Sequence, residues 1–141
     1  MNSVRVPKMT DLALIEELKT LVDAGKVLTD ADSLEAYGKD WTKHFAPAPS
    51  AIVFPKTTEQ VQAIVRWANQ HRIALVASGG RTGLSAGAVA ANGEVVVSFD
   101  NMNQILAFNE MDRTAVCQPG VVTQQLQMFA EDKGLYYPVD F

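Results

Sequence analysis

The chain has 141 residues, 48% of them apolar and 20% charged, with a net charge of −4 and a pI near 5.1. Those values are ordinary for one globular domain, and the acidic balance, with no basic run interleaved with aromatics, argues against nucleic acid as a partner. No apolar stretch approaches the roughly 20 residues of a membrane-spanning helix, residues 1–11 lack an apolar signal core, and Cys117 stands alone, so the sequence predicts a cytoplasmic protein without disulfides.

In chain order, Leu12, Ile15, Leu18, Leu21 and Val22 recur at helical spacing and predict an amphipathic helix over residues 12–24, stopped by Gly25. A short helix follows Thr29 with Leu34 and Tyr37 inward, and a loop then carries Trp41, His44, Phe45, Pro47 and Pro49. Residues 50–54 read as a strand. Thr57 with Gln60 makes a capping box for a helix to about residue 70, whose Val61, Ile64, Val65 and Ala68 form one apolar face. The continuous apolar runs 73–77 and 94–99 suit strands inside a sheet covered by helices. Residues 104–108 and 114–118 flank a turn at 109–113 and predict a hairpin, in which Cys117 is a small buried hydrophobe. Thr123 caps a last helix to about residue 132, with Leu126, Phe129 and Ala130 inward and Gly134 as its C-cap. The sum is an α+β arrangement without internal repeats.

Between the strand patterns 73–77 and 94–99 lies Ser78-Gly79-Gly80-Arg81-Thr82-Gly83-Leu84-Ser85-Ala86-Gly87. Glycines let a backbone turn its N–H groups toward an anion and keep side chains out of the ligand's way. Thr82 and Ser85 add hydroxyl donors, and Arg81 adds a fixed positive charge. The spacing is not that of a P-loop, because no lysine occurs between Lys56 and Lys133. A dinucleotide fingerprint fails too, since the segment runs on into a strand instead of opening a helix. A nest of loop N–H groups that cradles a phosphate is one reading, and a plain glycine-rich turn between two strands is the other.

Pro55, Thr58-Glu59-Gln60-Val61, the strand 73–77, the loop from Ser78 to Ser85, the strand 95–99, Met102-Asn103 and Pro119-Gly120-Val121 follow one another in an order that resembles a known family. It is the vanillyl-alcohol oxidase and p-cresol methylhydroxylase (PCMH-type) FAD-binding family. Within it the likeness is to the glycolate oxidase, D-lactate and D-2-hydroxyglutarate dehydrogenase branch, and it covers Tyr37 to the C-terminus. The resemblance implies a PCMH-type fold of mixed small sheets flanked by helices, with residues 1–48 as a helical lead-in and 49–141 as the N-terminal part of the FAD-binding domain. It implies that Gly79, Gly80, Arg81, Thr82, Gly83, Leu84, Ser85 and Gly87 hold the FAD pyrophosphate, with Ser78 at the entry of the cofactor site, and that Pro138 and Asp140 line the cofactor from the far side. The implied reaction is oxidation of a small D-2-hydroxy acid, of lactate, glycolate or 2-hydroxyglutarate type, by hydride transfer to flavin N5.

Two positions depart from the family pattern. Ala86 stands where a glycine is usual, so a positive φ there would strain it. Arg81 follows the paired glycines where some relatives carry a histidine bonded to the flavin, which implies non-covalent FAD. The apolar end, Leu135-Tyr136-Tyr137-Pro138-Val139-Asp140-Phe141, suggests the leading part of a longer enzyme, cut before a second flavin loop and the substrate domain, whose exposed end lets copies self-associate. No catalytic or metal-ligating set is expected here: His44 and His71 have no acidic or thiol neighbours at ligand spacing, His71 reads as a helix cap, and Asp40 and Asp100 read as carboxylates without partners. Asp100 is expected to cap the turn at Asn101. The rival from another class is a non-catalytic nucleotide- or anion-binding module using the same loop.

Overall fold

A computed structural model of the chain describes residues 12–42 and 44–139. Ten elements follow in order: α1 (Leu12–Thr20), β1 (Val27–Leu28), α2 (Ala31–Tyr37), β2 (Ala51–Val53), α3 (Thr58–His71), β3 (Leu75–Ser78), β4 (Val95–Ser98), β5 (Ile105–Asn109), β6 (Thr114–Cys117) and α4 (Thr123–Glu131). The first four strands make one sheet in the order β1-β2-β4-β3, and β5 and β6 make a separate antiparallel pair. In the larger sheet β2, β4 and β3 are parallel, with Ile52 and Val76 both in register with Val96, while β1 runs antiparallel along β2.

Side chains alternate across the sheet and build a core on each face. On one side Ala51, Val53, Val95 and Val97 pack with Leu18 of α1 and with Ile64, Trp67 and Ala68 of α3. On the other, Ile52, Phe54 and Val96 pack with Ala90 and with Leu34 and Tyr37 of α2. Both faces of the central strands are covered, which is why their sequences are apolar throughout. Ala90 belongs to the connection from β3 to β4, so the glycine-rich segment itself helps to cover the second face.

Helix α3 starts as its sequence predicts. Thr57 Oγ1 accepts from the Gln60 N–H (3.2 Å), but the Gln60 side chain reaches back to the Lys56 N–H (2.7 Å), one residue before the cap. Several expectations need correction. Helix α1 ends at Thr20, not at residue 24, and the two-residue strand β1 was not foreseen. Val65 points to solvent and Trp67 takes its place in the core, because the helix presents the 64/67/68 face to the sheet. Thr123 is the first residue of α4 and not its cap; Val122 stands at the N-cap without a side-chain hydrogen bond. The C-cap of α4 is Asp132, although Gly134 does take the left-handed conformation (φ +68°) as the chain leaves. Leu126, Phe129 and Ala130 are only half-buried, as is Cys117.

Candidate functional site

Strand β3 ends at Ser78, which is fully buried, and the chain then leaves the carboxyl end of the sheet and returns to the start of β4 at residue 95. No helix intervenes between 79 and 94, so any anion here meets loop N–H groups without a helix dipole behind them.

The left-handed residues of this loop are not its glycines. Arg81 (φ +57°) and Ala86 (φ +60°) hold that conformation, whereas Gly79, Gly80, Gly83 and Gly87 do not. What the glycines contribute is open space. A Cβ on Gly80 would meet nothing nearer than Thr82 Oγ1 at 4.0 Å, and one on Gly87 would meet nothing within 4 Å. Gly80, Thr82, Leu84, Ser85 and Gly87 make no hydrogen bond among the described residues, so their N–H groups and the two hydroxyls remain free to donate.

Arg81 is otherwise engaged. Its Nη1 lies 3.2 Å from Asp100 Oδ1 and donates to the Gly79 carbonyl (3.0 Å), and its guanidinium stacks 4.7 Å over the Tyr37 ring. Asp100 therefore has a partner, contrary to the sequence reading, and its carboxylate pairs with Arg81 instead of capping the turn at Asn101. The pair staples the entry of the loop to the end of β4.

Asp40 is likewise partnered. Its Oδ1 accepts from the Thr42 N–H (2.7 Å), while Oδ2 is a buried oxygen without a hydrogen-bond partner among the described residues. Burial works to raise its pKa, but the hydrogen bond from the Thr42 N–H and the nearby Thr42 hydroxyl and Ala88 N–H dipoles win, and the carboxyl is held below the usual carboxylate range. The Trp41 N–H donates to the Gly83 carbonyl (3.1 Å), and the Ala86 N–H donates to Thr42 Oγ1 (2.9 Å). These contacts escaped the sequence reading, as did those of Pro119 and Gly120. The Pro119 carbonyl lies 3.7 Å from where a Gly79 Cβ would stand, and a Cβ on Gly120 would lie 2.0 Å from the Phe99 carbonyl oxygen.

The remaining candidates lie elsewhere. Pro138 is exposed on the segment after α4, next to Val139, whose carbonyl accepts from Gln127 Nε2 (3.0 Å). Asp140 lies outside the described residues. His71 closes α3 with its Nε2 3.1 Å from Glu17 Oε2, and His44 is exposed. The arrangement at the loop suits a diphosphate: free N–H and hydroxyl donors on a surface with room for a ligand at van der Waals distance.

Comparison with known proteins decides which ligand. The profile of the FAD binding domain family matches residues 49–141. The chain belongs to that family. FAD is its cofactor, and the donor set and open glycine surface of the loop fit a dinucleotide pyrophosphate. This FAD binding domain is 88% identical over 133 residues to a D-2-hydroxyglutarate dehydrogenase of Stutzerimonas stutzeri, covering 94% of the chain and 29% of that protein. It is 32% identical to the mitochondrial D-2-hydroxyglutarate dehydrogenase of Bos taurus over 92% of the chain and 23% of the bovine protein. The chain thus spans under a third of the length of these relatives. Its fold is that of PCMH-type flavoproteins. The crystal structure of p-cresol methylhydroxylase with substrate bound superposes with a TM-score of 0.75 at 28% identity, covering 87% of this chain and 25% of that one. An alkyldihydroxyacetonephosphate synthase shares the fold alone, with a TM-score of 0.78 at 19% identity over 91% of this chain and 26% of its own.

Proposed function

We propose that this domain holds FAD non-covalently for a dehydrogenase acting on a D-2-hydroxy acid, with 2-hydroxyglutarate as the substrate type. The observation that carries the reading is the 88% identity to a D-2-hydroxyglutarate dehydrogenase across nearly the whole chain. When bound, FAD supplies a hydride acceptor at flavin N5 for the C2 hydrogen of the hydroxy acid. The chain's own part is to bind and orient. The free N–H groups of Gly80, Thr82, Leu84, Ser85 and Gly87 and the hydroxyls of Thr82 and Ser85 would hold the pyrophosphate together with Gly79 and Gly83, Ser78 fixes where the loop leaves the sheet, and Pro138 and Asp140 would line the cofactor from the far side. Arg81 acts through Asp100 by fixing the loop. It also stands where a covalent histidine would be, and a guanidinium forms no such bond.

Purification of the full-length protein that carries these residues tests the reading. A visible flavin band, bleached by D-2-hydroxyglutarate and released to the supernatant by acid, supports it. A colourless protein favours the non-catalytic anion-binding module, and a flavin bleached by D-lactate or glycolate but not by D-2-hydroxyglutarate reassigns the substrate. Flavin that stays with the polypeptide after acid overturns the non-covalent assignment.

The same proposal places the protein in the cytoplasm. Among the described residues no helix is long and apolar enough to cross a membrane, and since the bovine relative is named as mitochondrial, fractionation of the source cells is the deciding measurement. The segment at the chain's end, with Tyr136 82% exposed and Tyr137 and Val139 half-buried, is a further proposed contact through which isolated copies self-associate. Gel filtration of the 141-residue chain checks it, and a monomer at all concentrations would remove it.

A further inference from the structure

We infer that Thr42, set in place by Asp40, is a positioning residue for the cofactor loop, and that its task is to hold Ala86 in a backbone conformation that alanine disfavours. This rests on the assignment of the loop to FAD. The contacts that carry it cross a long stretch of sequence. The Trp41 N–H reaches the Gly83 carbonyl and Thr42 Oγ1 receives the Ala86 N–H, so two consecutive residues grip the loop on either side of Leu84 and Ser85. Leu84 and Ser85 themselves make no hydrogen bond among the described residues, and Leu84 is 76% exposed. The free donors therefore sit on a short arch whose two feet are tied to one strap.

Ala86 gives the strap its reason. At φ +60° its Cβ crowds the following carbonyl, a conformation that glycine takes freely and alanine does not. A loop left to itself would relax at that point and swing Ser85 and Gly87 out of line. The hydrogen bond to Thr42 Oγ1 fixes the Ala86 N–H in the one direction compatible with the arch. Asp40 in turn fixes Thr42, since its Oδ1 takes the Thr42 N–H across an Asx turn. None of these residues needs to touch the ligand, because their effect is on the shape the free loop presents, and a pre-formed site binds more tightly than one that must be ordered.

The test uses the full-length protein, stripped of flavin and titrated with FAD while flavin fluorescence is followed. Thr42→Val keeps the shape and removes the acceptor, and it should weaken FAD about tenfold while the far-UV circular dichroism stays native. Thr42→Ser restores the hydroxyl and should return affinity to within about twofold of the wild type. The decisive variant is Thr42→Val with Ala86→Gly. If the hydroxyl serves to hold a strained alanine, glycine at 86 makes it dispensable and most of the lost affinity returns. Should valine disturb the fold, Thr42→Ala replaces it, because Thr42 is only half-buried and truncation there opens no core cavity. Equal FAD affinity in wild type and in the Thr42→Val or Thr42→Ala variant overturns the inference, and so does a double variant no better than the single one. Failure of the FAD assignment looks different: the wild type itself then leaves flavin fluorescence unchanged. In that event amide exchange at Ala86 decides, and an equal rate in wild type and Thr42→Val removes the strap as well.

Discussion

Every residue of β2 and β4 is buried, whereas no residue of β5, β6 or α4 is. The sheet is covered on both faces and holds itself together with aliphatic side chains. The hairpin and α4 meet through a single half-solvated layer, where Phe108 and Phe129 stand edge to face with centroids 5.6 Å apart and Lys133 Nζ lies 4.9 Å from each ring. The stability of the described chain therefore resides in the sheet, and the glycine loop, anchored to the sheet, inherits that rigidity. The hairpin unit is joined at Pro119 and Gly120, where its exit passes under the ends of β3 and β4.

That joint is where the contrast breaks most easily. Gly120→Ala should cost more than about 4 kcal/mol or prevent folding, since its Cβ would fall 2.0 Å from a backbone oxygen that cannot step aside. Urea denaturation measures the loss, and a near-native midpoint would show the two halves to be less tightly coupled than their contacts indicate. Within the halves, Ile52→Ala should remove about 2–5 kcal/mol, because Ile52 is wholly buried. Phe129→Ala, half-buried, should remove roughly half as much or less by the same scale. Equal losses would put the core in the wrong place.

The loop separates stability from binding. Gly80→Val should abolish retention of FAD through purification, at least a hundredfold loss or about 2.7 kcal/mol in affinity. Its melting temperature in the absence of flavin should move little, because the added side chain meets only open space. Asp100→Asn releases Arg81 from a half-exposed pair, so its effect on stability should stay under about 1 kcal/mol while FAD weakens a few-fold. The smallest effect concerns pH. The Asp40 carboxyl is depressed in the folded chain, so its contribution is complete above the unfolded value of about 4 and is lost as pH falls through the lower folded value. Apo-protein melting temperature should then drop between about pH 5 and pH 3 more steeply in the wild type than in Asp40→Asn. Parallel curves would mean that Asp40 does not stabilise the folded chain.

What the sequence revealed and what it hid follow from distance along the chain. Helix α3, the central strands and the glycine loop were legible because their signals are local: a capping box, an apolar run, a cluster of glycines. Strand β1 was not, since Val27 and Leu28 are too few to show a period. Trp67 was within reach, three residues after Ile64, but an apolar face drawn through Val61 and Val65 turns the helix too far. The possible strain at Ala86 was visible as a departure from pattern, and its φ of +60° realises it. The hydrogen bond that holds it runs from the Ala86 N–H to Thr42 Oγ1, and nothing in local spacing could pair those two positions. Arg81 was legible as a charge but not as a charge already taken by Asp100.

The strand order β1-β2-β4-β3 bears on how the molecule comes into being. Strand β4 lies between β2 and β3 yet follows both in sequence, so β3 has no strand partner, and β2 none but β1, until residues 95–98 slide between them. Helix α3 can form early on its own local signals. The sheet must wait for the stretch 79–94, which has no regular structure of its own, to double back along one face and deliver the missing strand. A chain growing from the ribosome would thus keep an open slot in its centre until residues 79–94 have emerged and closed over it. Lengthening or loosening that segment should slow assembly even where it leaves the finished fold intact, so the residues proposed to hold the cofactor would also be the timing element of the protein's birth.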